Sequence, residues 1–137
     1  MTAQLLAEAT VQQIQLELIR RTNFNYFCGP RVADSLETHH DLWLAVCLDA
    51  PGVAQSTDSS GLLSGSLIKL RDLDRNKWNT DTLFVLTENP EQATVLGHIA
   101  EAENWNPDTI TVHSNADTNA ALGTGGAGYG LLSLWWD

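Results

Sequence analysis

Apolar residues recur at helical spacing near the start of the chain, at Ala7, Val11, Ile14 and Leu18. This periodicity predicts one amphipathic helix from residue 2 to about residue 21, with Thr2 as its cap. Pro30 then favours a second, short helix that ends near Thr38, because proline is well tolerated in the first turn of a helix. The N-terminal part of the chain is therefore predicted to be helical.

The middle of the chain changes from apolar to polar and back. Residues 42–48, LWLAVCL, form a continuous apolar run that predicts a strand buried on both faces. Residues 50–66 are rich in Gly, Ser and Pro and indicate a long loop. LIKL, residues 67–70, alternates between apolar and basic positions, which favours a half-exposed strand or hairpin arm.

The C-terminal half alternates between strand and helix patterns. Strands are predicted at 82–87, 109–113 and 129–136. Asn89 and Pro90 are typical of a helix cap and first helical residue, and residues 116–122 indicate one or two helical turns. Strand, helix and strand in succession favour a parallel pair joined by a right-handed crossover. The predicted fold is one α/β domain over residues 1–137, a sandwich with a mixed sheet of four or five strands and a βαβ unit in the C-terminal half.

Charge is distributed unevenly along this 137-residue chain, which has 17 acidic and seven basic residues and a net charge of −10. All seven bases precede residue 78, whereas residues 78–137 carry eight acids and no base. A negative surface repels phosphate backbones and anionic membranes and attracts cations or basic proteins. We therefore expect no nucleic-acid or membrane partner, and a basic protein is the partner class that the charge favours.

The two cysteines, Cys28 and Cys47, have no CxxC spacing and fit a reducing compartment. No basic leader and no long apolar run is present, so the sequence predicts a soluble, cytoplasmic protein. An enzyme that uses Cys28 with His39 or His40 is one open hypothesis, because Cys47 lies in an apolar strand and is predicted to be inert core. The glycine-rich residues 123–130 precede a strand rather than a helix, which argues against a phosphate-binding loop.

Residues 72–81, DLDRNKWNTD, gather oxygen-bearing side chains. Asp72, Asp74 and Asn76 match positions one, three and five of an EF-hand loop. Lys77 replaces the required glycine, and a strand residue stands where the bidentate glutamate belongs, so an EF-hand is excluded. An irregular calcium site with help from Asp81 and backbone carbonyls stays open, and so does an ordinary charged turn.

A second alternating set consists of Asn115, Asp117 and Asn119, and no base lies near it. These residues follow a predicted strand, and ligands tend to bind at the carboxyl ends of strands in parallel sheets. The alternative is that Asn115 or Ser114 only caps the short helix that follows.

In size, acidity and Asx-rich loops at 72–81 and 115–119, the chain resembles the small acidic calcium-binding proteins of cyanobacteria, which are compact α/β domains without an EF-hand. The acidity of the C-terminal half and the two Asx-rich loops lead to the hypothesis of a non-catalytic protein that binds a divalent cation, with calcium favoured, through carboxylate and carbonyl oxygens, and the resemblance points to the same function. The alternative is a protein-binding module of the immunity or inhibitor type that presents a negative, tryptophan-containing surface to a basic partner.

Overall fold

A computed structural model describes residues 5–50 and 68–137, and every structural statement below concerns these residues. The helices are α1 (Val11–Arg20), α2 (Gly29–Thr38), α3 (Ile68–Leu73), α4 (Pro90–Ala102) and α5 (Asn115–Leu122). The strands are β1 (Asn23–Phe24), β2 (Phe27–Cys28), β3 (Ala45–Asp49), β4 (Thr82–Thr87), β5 (Thr109–Val112) and β6 (Gly130–Trp135). The predicted α/β class is confirmed. No described helix has the length and apolar character that crossing a membrane requires.

Strands β3, β4, β6 and β5, in that order, form the main sheet, and β1 and β2 form a small hairpin. Four strands lie within the predicted number, but the predicted parallel pairing is wrong because every neighbouring pair is antiparallel. Strands β4 and β5 do run in the same direction and are joined through α4, yet β6 lies between them. The last strand occupies this central position because its leucines are buried, Leu131 and Leu132 among them.

The hydrophobic core lies on one face of the sheet. Its strand residues alternate along the chain and meet across the sheet: Val46, Leu48, Leu83, Val85, Leu132 and Leu134. Buried residues of α1, α2 and α4 join the same cluster: Ile19, Val32, Leu36, Ala93, Leu96 and Ala100. Trp136 closes one end of the core, donating its indole N–H to the carbonyl of Trp105 at 2.8 Å, while Phe27 packs edge-on against its ring.

The first helix starts later than predicted. A 3-10 turn covers Leu6–Glu8, and α1 begins only at Val11 after the cap Thr10. The Thr10 hydroxyl accepts a hydrogen bond from the backbone of Gln13, whose side chain accepts one from the backbone N–H of Thr10, and this capping box determines the start of the helix. Thr2, the predicted cap, lies outside the described residues.

Residues 68–70 are helical in α3, so the strand predicted for LIKL is wrong, and Leu67 lies outside the described residues. A strand needs a free sheet edge, and other side chains already occupy the outer edge of neighbouring β3. Lys69 instead pairs with Asp49 and lies 5.0 Å from the centre of the Trp78 ring.

The apolar run 42–48 is only partly a strand. A 3-10 turn covers His40–Leu42, β3 begins at Ala45, and the side chain of Cys47 is exposed rather than buried. The run therefore borders the core with one face only. Of the predicted loop at 50–66, only residue 50 lies within the described part of the chain.

The C-terminal elements agree closely with their sequence patterns. The Asn89 side chain accepts a hydrogen bond from the backbone of Gln92 at 2.9 Å, which confirms it as the cap of α4. Trp135 and Trp136 lie on opposite sides of the last strand, as alternation along a strand predicts, since Trp136 is 1% exposed and Trp135 is 40% exposed.

Candidate binding cleft

Asp72, the first residue of the predicted calcium loop, is held by neighbouring side chains. Arg71 donates two hydrogen bonds to its carboxylate, at 2.8 and 2.9 Å, and the Asn79 amide donates a third at 2.5 Å. The arginine bonds, followed by the Asn79 bond, lower the pKa of Asp72 to about 2. This carboxylate is already neutralised and hydrogen-bonded, so it is poorly suited to bind a cation.

The backbone after Asp72 forms a compact turn around the same residue. The carbonyl of Asp72 accepts hydrogen bonds from the N–H groups of Arg75 and Lys77, both at 2.9 Å. Asn76 has a φ of 59°, in the left-handed region that asparagine tolerates better than most residues. Asp72 therefore organises the turn, and the turn displays Arg75 and Lys77.

Asp81, another residue of the first predicted site, is engaged by its neighbours. The Asp81 carboxylate accepts a hydrogen bond from the Thr82 hydroxyl at 2.8 Å, and its carbonyl accepts one from the backbone of Trp136. Among the residues that the structure describes, no three His, Cys, Asp or Glu side chains are placed to hold a metal ion. Calcium binding through Asp72, Asp74, Asn76 and Asp81 stays a prediction, and calcium calorimetry is its direct test.

The second predicted site lies on α5. Ser114 caps this helix by accepting a hydrogen bond from the backbone of Asp117, and the Asn119 side chain accepts one from Thr124. Residues two positions apart on a helix differ by roughly 200° in direction, so Asn115, Asp117 and Asn119 do not converge. The strand-end argument for this site also required a parallel sheet, and the sheet is antiparallel.

The predicted pairing of Cys28 with His39 is contradicted. Cys28 precedes α2 and His39 follows it, so the ten-residue helix holds them about 15 Å apart. His39 instead contacts Glu103 at 2.7 Å, and the Ser35 hydroxyl donates to the same carboxylate at 2.5 Å. The Ser35 bond, and then the His39 bond, lower the pKa of Glu103. Because the serine donates to a carboxylate rather than to a histidine, this group joins two helices and does not activate a nucleophile.

His40, the other histidine of that hypothesis, is also turned away from Cys28. Its ring contacts the carbonyl of Glu37 at 3.2 Å and the carboxylate of Asp41 at 3.1 Å. Both contacts are local to the end of α2, and the ring is largely exposed. The cysteine and the two histidines therefore form no common site.

A cleft of about 690 Å³ lies beside the 72–81 turn. Three segments line it: the end of α1 with β1, residues 71–81 apart from Asp74, and the last three residues of the chain. The volume falls within the range of small-molecule sites, about 300–1,000 Å³. The sequence pattern of residues 72–81 predicted a binding site in this part of the chain, but one for a cation.

Basic side chains are concentrated around this cleft although the protein as a whole is acidic. Four of the seven bases line it, Arg21, Arg71, Arg75 and Lys77, and the same lining contains the carboxylates of Asp72, Asp81 and Asp137. Arg21 pairs with Glu17 and Arg71 pairs with Asp72. Arg75 and Lys77 form no ion pair or side-chain hydrogen bond with any described residue, whereas the bases outside the cleft are all engaged. We call these two groups free because they have no ion pair or side-chain hydrogen bond with a described residue, although the charge of Arg75 also contributes to the low pKa of Asp72.

The cleft also contains an unsatisfied hydroxyl and accessible aromatic surface. Thr80 is 4% exposed, and its side-chain oxygen forms no hydrogen bond with any residue that the structure describes. A buried hydroxyl without a partner is costly, and such a group is often completed by water or a ligand. Trp135 contributes the most exposed aromatic ring, and Trp78 and Phe24 are half-buried beside it.

Sequence reasoning missed the role of the basic residues in this segment. The sequence does not show that Arg71 and Asn79 satisfy the Asp72 carboxylate, so it gives no reason to regard Arg75 and Lys77 as available for a ligand. The available signal was their position in a segment that also contains Trp78.

Comparisons with known proteins assign no function to the cleft, so its function is inferred from the chemistry of its residues. No family model, no curated protein and no solved structure matches this chain. The site is therefore defined by three features of the described residues: two free cations, an unpartnered threonine hydroxyl and exposed aromatic surface.

Proposed function

We propose that this protein is a non-catalytic binding module whose cleft takes a small anionic ligand with an aromatic portion. The observation that carries the proposal is that Arg75 and Lys77, the free cations of the described chain, line the same cleft as the exposed ring of Trp135. The two halves of such a ligand correspond to these two kinds of side chain.

The cationic groups account for recognition of the anion. Arginine and lysine donate charge-assisted hydrogen bonds to carboxylates, sulfonates and phosphates, and these bonds are stronger than those between neutral groups. Arg71 does not compete for the ligand, because its guanidinium is occupied by Asp72. The net charge of −10 opposes the approach of an anion, so the free cations have to supply local attraction that the rest of the surface lacks.

The aromatic residues account for recognition of a flat apolar group. Trp135 is 40% exposed at the end of β6, and partial coverage of its ring by a ligand removes apolar surface from water. The hydroxyl oxygen of Thr80 is buried in the wall of the cleft, so a ligand can bond to it only after neighbouring side chains shift. This combination favours an amphipathic ligand over a bare inorganic anion.

Two fluorescent probes of similar shape test this proposal. One is 1-anilinonaphthalene-8-sulfonate, an aromatic anion, and the other is its neutral analogue N-phenyl-1-naphthylamine. We expect saturable binding of the sulfonate with energy transfer from tryptophan. The Arg75→Gln/Lys77→Gln variant should bind the sulfonate about tenfold more weakly, corresponding to roughly 1.4 kcal/mol, because its charge-assisted bonds are lost.

Matched variants separate specific from general binding. Arg31→Gln removes a base outside the cleft and should leave binding of both probes unchanged. Trp135→Ala should weaken both probes, whereas the double glutamine variant should weaken only the anionic one. If the sulfonate binds Arg75→Gln/Lys77→Gln as tightly as it binds the unmodified protein, the proposed anion site does not exist.

A further inference from the structure

The two edges of the main sheet differ in whether their outward backbone groups have hydrogen-bond partners. At the β3 edge, side chains supply these partners. Val46 donates its backbone N–H to the Gln12 side-chain oxygen at 3.0 Å, and its carbonyl accepts from the Gln12 amide at 2.9 Å. One step along the strand, the carbonyl of Leu48 accepts the indole N–H of Trp78 at 3.1 Å. These contacts satisfy three of the four outward backbone groups of Val46 and Leu48 that a further strand would use.

The β5 edge is open among the described residues. His113 donates its backbone N–H to the carbonyl of Leu131, so alternation along the ladder directs the N–H groups of Thr111 and Thr109 towards β6 as well. The backbone groups of Ile110 and Val112 then point away from the sheet. They have no backbone or side-chain hydrogen-bond partner in the described part of the chain.

The open edge has little protection against strand addition beyond its short length of four residues. Natural edge strands commonly carry lysine, proline or a bulge within the strand, and the sequence of β5 is TITV. Val112 is 40% exposed, and Thr109 and Thr111 are exposed as well. No element within residues 5–50 and 68–137, and no side chain of β5 itself, therefore limits access to this edge.

Acidic groups surround the open edge. A shallow groove of about 450 Å³ beside β5 is lined by Glu101 and Asp108 together with Ile110. Residues 78–137, which include β5 and α4, contain eight acids and no base. A partner strand that carries positive charge is attracted to this surface, whereas an acidic strand is repelled.

We infer that the β5 edge binds an extended cationic segment of another protein by strand addition. Backbone hydrogen bonds to Ile110 and Val112 supply the pairing, and Glu101 and Asp108 select for lysine or arginine in the partner. A second copy of this chain is a poor occupant, because two molecules that each carry −10 repel each other. This inference does not depend on the cleft, which lies among other residues and has the opposite charge preference.

The probe is an acetylated and amidated peptide, Thr-Lys-Val-Lys-Val-Lys-Thr, added to the full chain. Amide hydrogen exchange measured by NMR reports the pairing directly. The amides of Ile110 and Val112 should exchange roughly tenfold more slowly with saturating peptide, because they gain hydrogen bonds. The amide of Thr111, which is already paired with β6, should change little.

Two control peptides separate backbone pairing from charge. A version with glutamate in place of each lysine should not bind. A version N-methylated at every lysine and valine keeps the charge but loses those backbone donors, and it should also fail to bind. Equal binding of the methylated peptide overturns strand addition, because charge alone would then explain the complex.

Two variants of α4 test the selection for charge. Glu101→Gln should weaken the peptide several-fold, whereas Glu91→Gln, about 15 Å away on the same helix, should not. Arg75→Gln/Lys77→Gln should leave peptide binding unchanged. Protection elsewhere than at Ile110 and Val112, or sensitivity to the cleft variant, overturns the assignment to β5.

Discussion

Closure of the β3 edge by Gln12 makes a quantitative prediction about stability. Gln12→Met keeps a side chain of similar length but removes both hydrogen bonds to the backbone of Val46. Each hydrogen bond of this kind contributes about 0.5–1.5 kcal/mol net, so two contribute about 1–3 kcal/mol. Val46 is 3% exposed, and orphaned backbone groups at a buried residue place the expected loss in the upper part of that range, about 2–3 kcal/mol.

Urea unfolding followed by tryptophan fluorescence measures this loss. With a denaturant slope of about 2 kcal/mol per molar, the midpoint should fall by roughly 1–1.5 M. Gln12→Ala should lose at least as much as Gln12→Met, because it also removes packing from a half-buried position. A Gln12→Met protein as stable as the unmodified one refutes the reasoning, because the side chain would then contribute only through packing.

Three further predictions concern other parts of the molecule. Gly29→Ala should destabilise the fold by about 3 kcal/mol in urea unfolding, because its Cβ would lie 2.1 Å from a backbone carbonyl oxygen. Gly97→Ala should instead stabilise α4 by up to about 1 kcal/mol, because its Cβ meets only ordinary contacts. Equal effects of the two substitutions would contradict the packing. Asp72, with its pKa lowered from 3.8 to about 2, stabilises the folded state above pH 3.8, and this contribution is lost as the pH falls through 2. The urea midpoint of Asp72→Asn should therefore fall less between pH 4 and 2 than that of the unmodified protein. Equal falls in the two urea midpoints would contradict the ion pair. Partial burial, and then the charge of Asp49, raise the pKa of Cys47. In a Cys28→Ser protein, the rate at which the Cys47 thiol reacts with Ellman's reagent should therefore still increase above pH 9.0. A rate that becomes constant below that pH would contradict the raised pKa.

Local patterns in the sequence predicted most of the elements in the C-terminal half. Asn89 and Pro90 identify the start of α4 because a cap and a first-turn proline act on their own neighbours. The alternation that separates Trp135 from Trp136 is equally local, because successive strand residues point to opposite faces. Signals of this kind need no knowledge of the rest of the chain.

The same local reasoning failed where a partner distant in sequence decides the outcome. LIKL alternates like a strand, but Gln12 and Trp78 close the β3 edge beside it, so a helix forms. The segment from β4 to β5 was predicted to hold an adjacent parallel pair, but β6 lies between the two strands. Strand order depends on contacts over tens of residues, which no local periodicity encodes.

The candidate site likewise depends partly on sequence and partly on tertiary contacts. By itself, the sequence determined that the protein is acidic, that its bases precede residue 78 and that residues 71–77 contain two aspartates and three bases. Only the tertiary structure decided that Arg71 neutralises Asp72, which leaves Arg75 and Lys77 free beside Trp135. Composition is a property of the chain alone, whereas the pairing of charges depends on distances that exist only after folding.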